Sequence, residues 1–178
     1  MEIRSLPEKE KDKLLLRLIA KDKVLTEHLH FKLLEDEGDL VQRHQKLHSV
    51  IDESIDDLRS GKKLVSKDAM LRMRKLNGMI SHHFKVTKDV LTEIELRIHL
   101  LSNLPIAFTE GIFSPMHKFN EKLNVYFVKS ALSVLGKYTK LHEDIQFDLR
   151  AGLNEVLTKI YKNKTAAVAE ELGLPKEL

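Results

Sequence analysis

Histidine is the residue type in this sequence best suited to chemistry, since nine histidines occur in 178 residues. Glu27 and His30 have the i, i+3 spacing by which a carboxylate and an imidazole reach one metal ion in helical-bundle di-iron proteins. His44 and His48 lie four residues apart, so they share one face of a helix. With His142, these residues define the metal-binding alternative for this chain.

The motifs of known helical metal centres are matched only in part. A ferritin-like centre needs a second Glu-x-x-His motif, but Glu95 and His99 have a spacing of four and lie off the apolar stripe of their helix. Phe147 occupies the position where a haemerythrin-like His-x4-Asp motif starting at His142 would need aspartate. Gln146 likewise replaces the second histidine of a zincin motif. We therefore expect no cofactor.

Other catalytic signatures are absent from the sequence. The chain has no cysteine, which excludes disulfides, thiolate metal sites and a cysteine nucleophile. It contains neither a glycine-rich phosphate-binding motif nor the Gly-x-Ser-x-Gly turn of serine hydrolases. The sequence therefore favours a protein that is not an enzyme.

A basic segment over residues 59–88 offers a different function. It holds nine lysines and arginines but only one acid, Asp68, and a cationic stripe along a helix can follow phosphate groups. Arg72, Arg74 and Lys75 are the candidate contacts for nucleic acid or another polyanion. Because no RNA- or DNA-binding signature accompanies them, we keep this function as a second alternative.

Internal ion pairing also explains this basic segment. Asp52, Glu53, Asp56 and Asp57 lie shortly before it, at the end of the preceding predicted helix. A short loop would fold that end back beside the start of the next helix, where its acids would face Lys67, Arg72 and Lys75. Such charged faces are usually solvated or paired within the protein.

The connection over residues 102–114 is unusually apolar for a loop, since Glu110 is its one charged residue. Such a connection either folds over the end of the bundle or stays exposed as a contact surface. It is our first candidate for a recognition surface. Its candidate binding residues are Leu104, Ile106, Phe108, Ile112 and Phe113.

The elements that would position these residues are all predicted to be helices. Apolar residues recur every three or four positions from Met116 to Ile160, which predicts one long helix. Ser114 and Pro115 suit its N-cap and first turn. Gly136 and Gly152 are the two points at which this helix could divide. Its apolar stripe comprises Met116, Phe119, Leu123, Phe127, Ala131, Val134, Tyr138, Leu141, Ile145, Leu149, Leu153, Val156 and Ile160.

The first predicted helix carries a leucine-rich inner face and ends before Gly38. Asp22, between two lysines, falls on that face, so we expect a break near residues 21–23. The inner face comprises Leu15, Leu18, Ile19, Leu25, Leu29 and Leu33.

Two further long helices follow. The apolar stripe of the second comprises Leu40, His44, Leu47, Ile51, Ile55 and Leu58. That of the third comprises Met73, Leu76, Ile80, Phe84, Leu91, Ile94, Ile98 and Leu101. Asp39 is predicted to cap the second helix and Gly61 to stop it. Ser66 is predicted to cap the third, in which Gly78 and the pair 86–87 weaken the middle, so we expect a bend there.

Together these patterns predict an all-α fold: an elongated, mainly antiparallel bundle of about four long helices plus a short C-terminal helix over residues 166–172, capped by Thr165. We expect one domain over residues 1–178, with flexible ends at 1–5 and 173–178. The densely charged N-terminus is unlike a signal peptide, and the longest uncharged stretch, residues 98–109, is too short to cross a bilayer.

The function expected from these observations is that of a helical scaffold or adaptor. Long helices offer large faces for another protein or for a second copy of the chain, and a homodimer would cover a helix that extends beyond its neighbours. We therefore expect a cytoplasmic protein that acts through a protein partner or self-association, without a membrane and without nucleic acid as its main ligand.

Overall fold

The computed structural model describes residues 3–60, 65–108, 114 and 116–178. This described part is all-α: 82% of it is helical, it has no strand, and its helices pack against one another as a bundle, as predicted. After a short 3-10 turn at Ile3–Ser5, the helices are α1 Glu8–Lys21, α2 Lys23–Leu34, α3 Glu37–Ser60, α4 Ser66–Thr87, α5 Val90–Asn103, α6 His117–Tyr138, α7 Glu143–Tyr161 and α8 Ala166–Glu171.

Helices α4 and α5 occupy the centre of the bundle. Helix α4 packs on α2, α3, α5 and α6, whereas α5 packs on α3, α4, α6 and α7. The predicted stripes of α3, α6 and α7 supply most of the remaining core, since Leu47, Ile51, Ile55 and Leu58 are all buried on α3. The largest fully buried side chains are Phe127, Ile51, Ile55, Met73, Leu76, Ile80, Ile94, Leu96, Leu100, Leu101, Leu104 and Leu123.

The first predicted helix breaks at Asp22, which confirms the expected interruption. Asp22 adopts an extended conformation, and its carboxylate accepts a hydrogen bond from the Leu25 amide at 3.1 Å. It therefore ends α1 and caps α2 at the same time.

The leucine-rich inner face predicted for this first segment is wrong. Helices α1 and α2 contain no buried residue, and α1 packs mainly on α2. Ile19 and Leu29 are half-buried, whereas the other four members of that face are exposed. The apolar pattern is real, but α2 packs on α4 without fully burying any of its residues, and the stripe of α1 stays mostly exposed.

Asp36, rather than the predicted Asp39, caps the next helix. The Asp39 amide donates to the Asp36 carboxylate and the Asp36 amide donates to the Asp39 carboxylate, each at 3.1 Å. This reciprocal arrangement is a capping box, which starts α3 three residues earlier than predicted. The predicted stop at Gly61 lies outside the described residues.

The third predicted helix is divided into α4 and α5 rather than bent in its middle. Lys88 has φ 61° and ψ 14°, a left-handed conformation that ends α4. The Asp89 carboxylate then accepts hydrogen bonds from the Thr92 amide and hydroxyl, at 3.2 and 2.5 Å, and so caps α5. Gly78 lies inside α4, and Ser66 is the first residue of that helix, with Val65 at the N-cap position.

The long C-terminal helix is also divided, at residues 139–142 rather than at a glycine. Tyr138 ends α6, and His142 precedes Glu143 as the N-cap of α7. The Tyr138 hydroxyl donates to the Gln146 carbonyl at 3.0 Å, which ties the two helices at this corner. At the start of α6, the Ser114 hydroxyl accepts from the Met116 amide at 3.2 Å, whereas Pro115 lies outside the described residues.

Gly152 has a packing role inside α7. A Cβ atom at this position would lie 3.0 Å from Cγ2 of Ile98, so the glycine allows α7 to approach α5 closely. Helix α8 begins after Thr165, as predicted, and is closed by Gly173 at φ 69°. The Thr165 side chain does not cap it, however, because its hydroxyl donates to the Ile160 carbonyl at 2.6 Å. Leu174 is then buried in the core.

Candidate functional site

The clearest cluster of metal-ligating side chains lies where α3 packs on α5. His48 and Asp52 are four residues apart on α3, and His99 projects from α5. The Asp52 carboxylate bridges the two imidazoles: one of its oxygens is 3.1 Å from His48 Nδ1, and the other is 2.5 Å from His99 Nε2. These three donor groups lie within 4.8 Å of one another.

Stacking holds the two imidazoles of this cluster together. The His48 and His99 rings are 3.7 Å apart between centroids and inclined by 27°. All three side chains remain accessible, with exposed fractions of 42% for His48, 46% for Asp52 and 23% for His99. The cluster therefore has both the donor atoms for a cation and an entry route for one.

Two neighbours extend this cluster by one helical turn. The His44 ring meets the His48 ring edge-on, with 6.3 Å between centroids. Glu95 lies one turn before His99, and burial raises the pKa of its carboxyl, opposed by the nearby His44. Asn103 lies one turn after His99 on α5. Its amide nitrogen lies 3.2 Å from His99 Nδ1 and donates to the His99 carbonyl at 3.0 Å.

The metal candidates named from the sequence do not converge on one site. Glu27 binds His82 of α4 at 2.7 Å, and His30 binds Glu35 at 3.0 Å. His142 lies at the exposed start of α7, 3.2 Å from Asp144.

Of the named candidates, His48 belongs to the observed cluster and His44 adjoins it. The other two members, Asp52 and His99, were not predicted as ligands. The i, i+4 spacing of His48 and Asp52 was a visible signal, but His99 is brought to them by tertiary packing across 47 positions.

A groove of about 510 Å³ lies between α3 and α4. Arg43, Lys46 and Lys75 give it a cationic rim, whereas its remaining lining is mostly apolar. His83, which is 7% exposed, also lines it, and its Nε2 has no hydrogen-bond partner in the described part of the chain. Burial lowers the pKa of His83, so its imidazole is neutral at pH 7.

The basic candidates Arg72, Arg74 and Lys75 have different environments. Arg72 donates to the Ser54 carbonyl at 3.0 Å and lies 3.6 Å from an Asp57 oxygen, which agrees with the internal pairing expected for it. Arg74 stacks over the Tyr126 ring at 5.6 Å, and the exposed Lys75 lines the groove described above. Nucleic-acid binding stays a prediction, with Arg74 and Lys75 as its accessible cations.

A buried charged network that no sequence motif predicted joins three helices. Glu93 of α5 is 1% exposed and binds Arg97 at 2.9 Å and Lys137 of α6 at 2.5 Å. Arg97 also donates to Asn77 at 2.7 Å and to Ser81 at 2.9 Å, both on α4. Because Glu93 has two cationic partners, the network satisfies its buried carboxylate and links α4, α5 and α6.

The apolar connection after α5 forms part of the core in its described portion. Leu104, Ile106 and Phe108 are 0%, 5% and 5% exposed, so their side chains pack inside the bundle rather than form an open recognition surface. Apolar loop residues gain more from covering the bundle end than from contact with water. The other two candidates, Ile112 and Phe113, lie outside the described residues.

The exposed apolar surface lies instead on α1. Leu14, Leu15 and Leu18, here named the leucine face, are 42%, 55% and 62% exposed. They fall within about one third of the helix circumference, because successive residues of a helix are rotated by about 100°. Leu33 and Leu34 of α2 are also exposed, at 71% and 73%. An apolar surface of this kind is typical of a protein-interaction site.

Comparison of this chain with protein-family models, with curated proteins and with solved structures finds no match. None of the described helices combines the length and the apolarity needed to cross a bilayer.

Proposed function

We propose that this chain is a non-enzymatic helical scaffold that self-associates by packing the leucine face of α1 against the same face of a second copy. The observation that carries the proposal is that α1 buries no residue although it exposes Leu14, Leu15 and Leu18 together. A soluble helix with an uncovered apolar stripe is stabilised when a partner removes that stripe from water.

The charge pattern of α1 favours a second copy as the occupant. Glu10 and Lys21 are both exposed and eleven residues apart, about three helical turns, so they lie along the same edge of the leucine face. In an antiparallel pair with two-fold symmetry, equivalent edges face each other, and Glu10 of one copy meets Lys21 of the other. The contact occurs twice, and the leucines lie between the two ion pairs.

The size of this interface sets the expected affinity. Full burial of one leucine contributes about 1.5–3 kcal/mol, whereas association costs at least about 4 kcal/mol in lost freedom of motion. The three leucines of each copy are already about half-buried, so with the two ion pairs they support weak association that depends on concentration up to hundreds of micromolar, rather than a permanent dimer.

The test is the mass of the protein in solution, measured by light scattering after gel filtration over about 5–500 µM, a range chosen to bracket the expected affinity. The wild-type mass should rise towards that of a dimer with concentration. The double variant L15Q/L18Q should remain monomeric, whereas F147Q, which alters an exposed aromatic residue of α7, should associate as the wild type does.

A charge exchange distinguishes self-pairing of α1 from other modes of association. The single variant E10K should weaken the dimer, because it places like charges at both ends of the interface. The double variant E10K/K21E should restore it, because the exchange rebuilds both ion pairs. A monomeric wild type throughout the range, or association unaffected by L15Q/L18Q, would overturn the proposal.

A further inference from the structure

We propose that His48 Nδ1, the Asp52 carboxylate and His99 Nε2 bind one divalent transition-metal ion, with Zn²⁺ as the best-fitting ion. This site is independent of the leucine face, because its residues belong to α3 and α5. It differs from the sequence expectation of no cofactor, and the reason is a contact between helices that the sequence alone does not reveal.

The distances of the cluster are close to those that a metal ion requires. Zn²⁺ bonds to imidazole nitrogen and carboxylate oxygen are about 2.0–2.2 Å long, so neighbouring ligand atoms lie about 3–3.5 Å apart. The separation of 3.1 Å between His48 and Asp52 already falls in this range. The separation of 2.5 Å between His99 and Asp52 needs to open by about 0.5–1 Å, which a rotation of the carboxylate can supply. Because the two rings are stacked 3.7 Å apart, the imidazoles must also tilt so that both nitrogens point at one ion.

The donor set selects the class of metal. Two imidazole nitrogens and one carboxylate suit Zn²⁺ and its neighbours in the first transition series, whereas Ca²⁺ and Mg²⁺ prefer oxygen ligands throughout. Three protein ligands leave at least one coordination position to water. The exposure of His48 and Asp52 gives that position access to solvent.

Asn103 acts as a positioning residue for His99. The Asn103 amide nitrogen lies 3.2 Å from His99 Nδ1 and can donate to it, which leaves the His99 proton on Nε2, facing Asp52. A metal on Nε2 moves this proton to Nδ1, and the Asn103 side chain must then turn its oxygen towards that nitrogen. The site therefore contains a neighbour that can support either state.

The first experiment measures Zn²⁺ binding to untagged protein that has been stripped with a chelator and then freed of it. Titration calorimetry should give one Zn²⁺ per chain for the wild type. The variants H99A and D52N should bind at least about tenfold more weakly, since each removes one of three ligands. H142A, which removes an exposed histidine of α7, is the matched control and should bind as the wild type does.

Thermal unfolding with and without Zn²⁺ tests whether a loss of binding reflects the site or a loss of folding. Zn²⁺ should raise the Tm of the wild type and of H142A but not that of H99A or D52N, because a ligand stabilises the state that binds it. Each variant is first compared with the wild type in chelator by circular dichroism. D52N keeps a side chain of the same shape, so it isolates the carboxylate.

Co²⁺ reports on the ligands directly, because imidazole ligands change its visible absorption. The Co²⁺ spectrum of the wild type should be absent from H99A, and added Zn²⁺ should displace it. Equal Zn²⁺ binding by folded H99A and wild type would overturn the proposal, as would a wild type that binds no Zn²⁺. The monomeric variant L15Q/L18Q should retain the full stoichiometry, which separates this site from the proposed dimer.

Discussion

Arg43 and Glu35 form a two-point ion pair across the corner between α2 and α3. The Arg43 Nε and Nη2 atoms donate to the two carboxylate oxygens of Glu35 at 2.6 and 2.5 Å. Glu35 is the C-cap of α2, and Arg43 lies about two turns into α3. The pair therefore fixes the direction in which the chain leaves α2. His30 adds a third contact to the same carboxylate at 3.0 Å.

This ion pair predicts how stability depends on pH. The hydrogen bonds from Arg43, supported by His30, lower the pKa of Glu35 from 4.5 to about 2. A carboxyl whose pKa is lowered by folding stabilises the protein fully above pH 4.5, and this contribution is lost as the pH falls through 2. The free energy of unfolding of E35Q should therefore be lower than that of the wild type at pH 6, and the difference should shrink between pH 4.5 and 2.

Urea unfolding of wild type and E35Q at several pH values measures this difference. The control is E53Q, which alters an exposed glutamate of α3 and should differ little from the wild type at any pH. A constant gap between E35Q and the wild type down to pH 2 would show that the ion pair does not lower the pKa of Glu35.

Burial of His83 is expected to give the free energy of unfolding a second dependence on pH. Its buried Nε2 lacks a hydrogen-bond partner in the described chain, and burial lowers its pKa below 6.5. The unfolded chain therefore takes up a proton before the folded one, so stability falls as the pH decreases below 6.5. Replacement by leucine removes this proton uptake and the unsatisfied polar atom.

The variant H83L should be more stable than the wild type by about 1 kcal/mol at pH 7.5, since it relieves one unsatisfied buried group. Its advantage should grow as the pH is lowered to 5. Chemical unfolding at the two pH values provides the measurement. A less stable H83L at pH 7.5 would show that the packing of the imidazole contributes more to stability than its unsatisfied nitrogen costs.

The helical faces of this fold were largely predictable from the sequence. Most of the stripe of α3 and most of the stripe that runs through α6 and α7 are buried as predicted, because burial follows the 3.6-residue period even where a helix is interrupted. The break at Asp22 was also predictable, because a short polar residue stood on an apolar face.

The other breaks depend on local capping, which competes with an uninterrupted apolar pattern. The Asp89 carboxylate caps α5 by accepting two hydrogen bonds from Thr92. We attribute the end of α4 to this cap, because Lys88, the residue just before Asp89, adopts the left-handed conformation that closes α4. The stripe continues across the break, so periodicity alone gives no sign of it. Helix caps are worth about 1 kcal/mol each, which is comparable to the cost of a local interruption.

The members of the metal-ligating cluster were harder to find for a different reason. His48 and Asp52 are neighbours on one helix, but His99 joins them through the packing of α5 on α3. The register between two helices depends on the fit of their whole apolar faces, which no local motif records. For the same reason, the sequence did not reveal that the leucines of α1 are exposed, because they recur with the same spacing as buried leucines.

Substitution by alanine is expected to have opposite effects on stability at Gly152 and at Gly136. Both lie inside helices, where alanine is favoured over glycine by about 1 kcal/mol. A Cβ at Gly136 meets nothing within 4 Å, so G136A should raise the Tm. A Cβ at Gly152 would lie 3.0 Å from Cγ2 of the buried Ile98, so G152A should lower the Tm.

Thermal unfolding of the two single variants checks this contrast, and each serves as the control for the other. The variant I98A removes the crowding methyl group, so G152A should be tolerated better in that background than in the wild type. An equal rise in Tm for G136A and G152A would show that α7 can move away from α5 at little cost.

Among the single substitutions considered, replacement of Lys159 is expected to cause the largest loss of stability. Its ammonium group donates to the carbonyls of Leu101, Ser102 and Leu104 at 2.8, 2.7 and 2.6 Å. These carbonyls lie at the C-terminal end of α5, where helical hydrogen bonding stops and a cation is favoured. Burial lowers the pKa of Lys159 to about 8, so the group still carries its three protons at pH 7.

Replacement by methionine keeps most of the apolar stem of Lys159 but removes all three donors. Each buried acceptor left unsatisfied costs about 1–3 kcal/mol, and water can satisfy part of this need, so K159M should lose about 2–4 kcal/mol in urea unfolding at pH 7. K159Q should recover part of the loss, because its amide supplies two donors. A loss below about 1 kcal/mol for K159M would mean that the carbonyls find other donors once the ammonium is gone. If the predicted loss is found, this one side chain of α7 holds both the end of α5 and the start of the apolar connection in place.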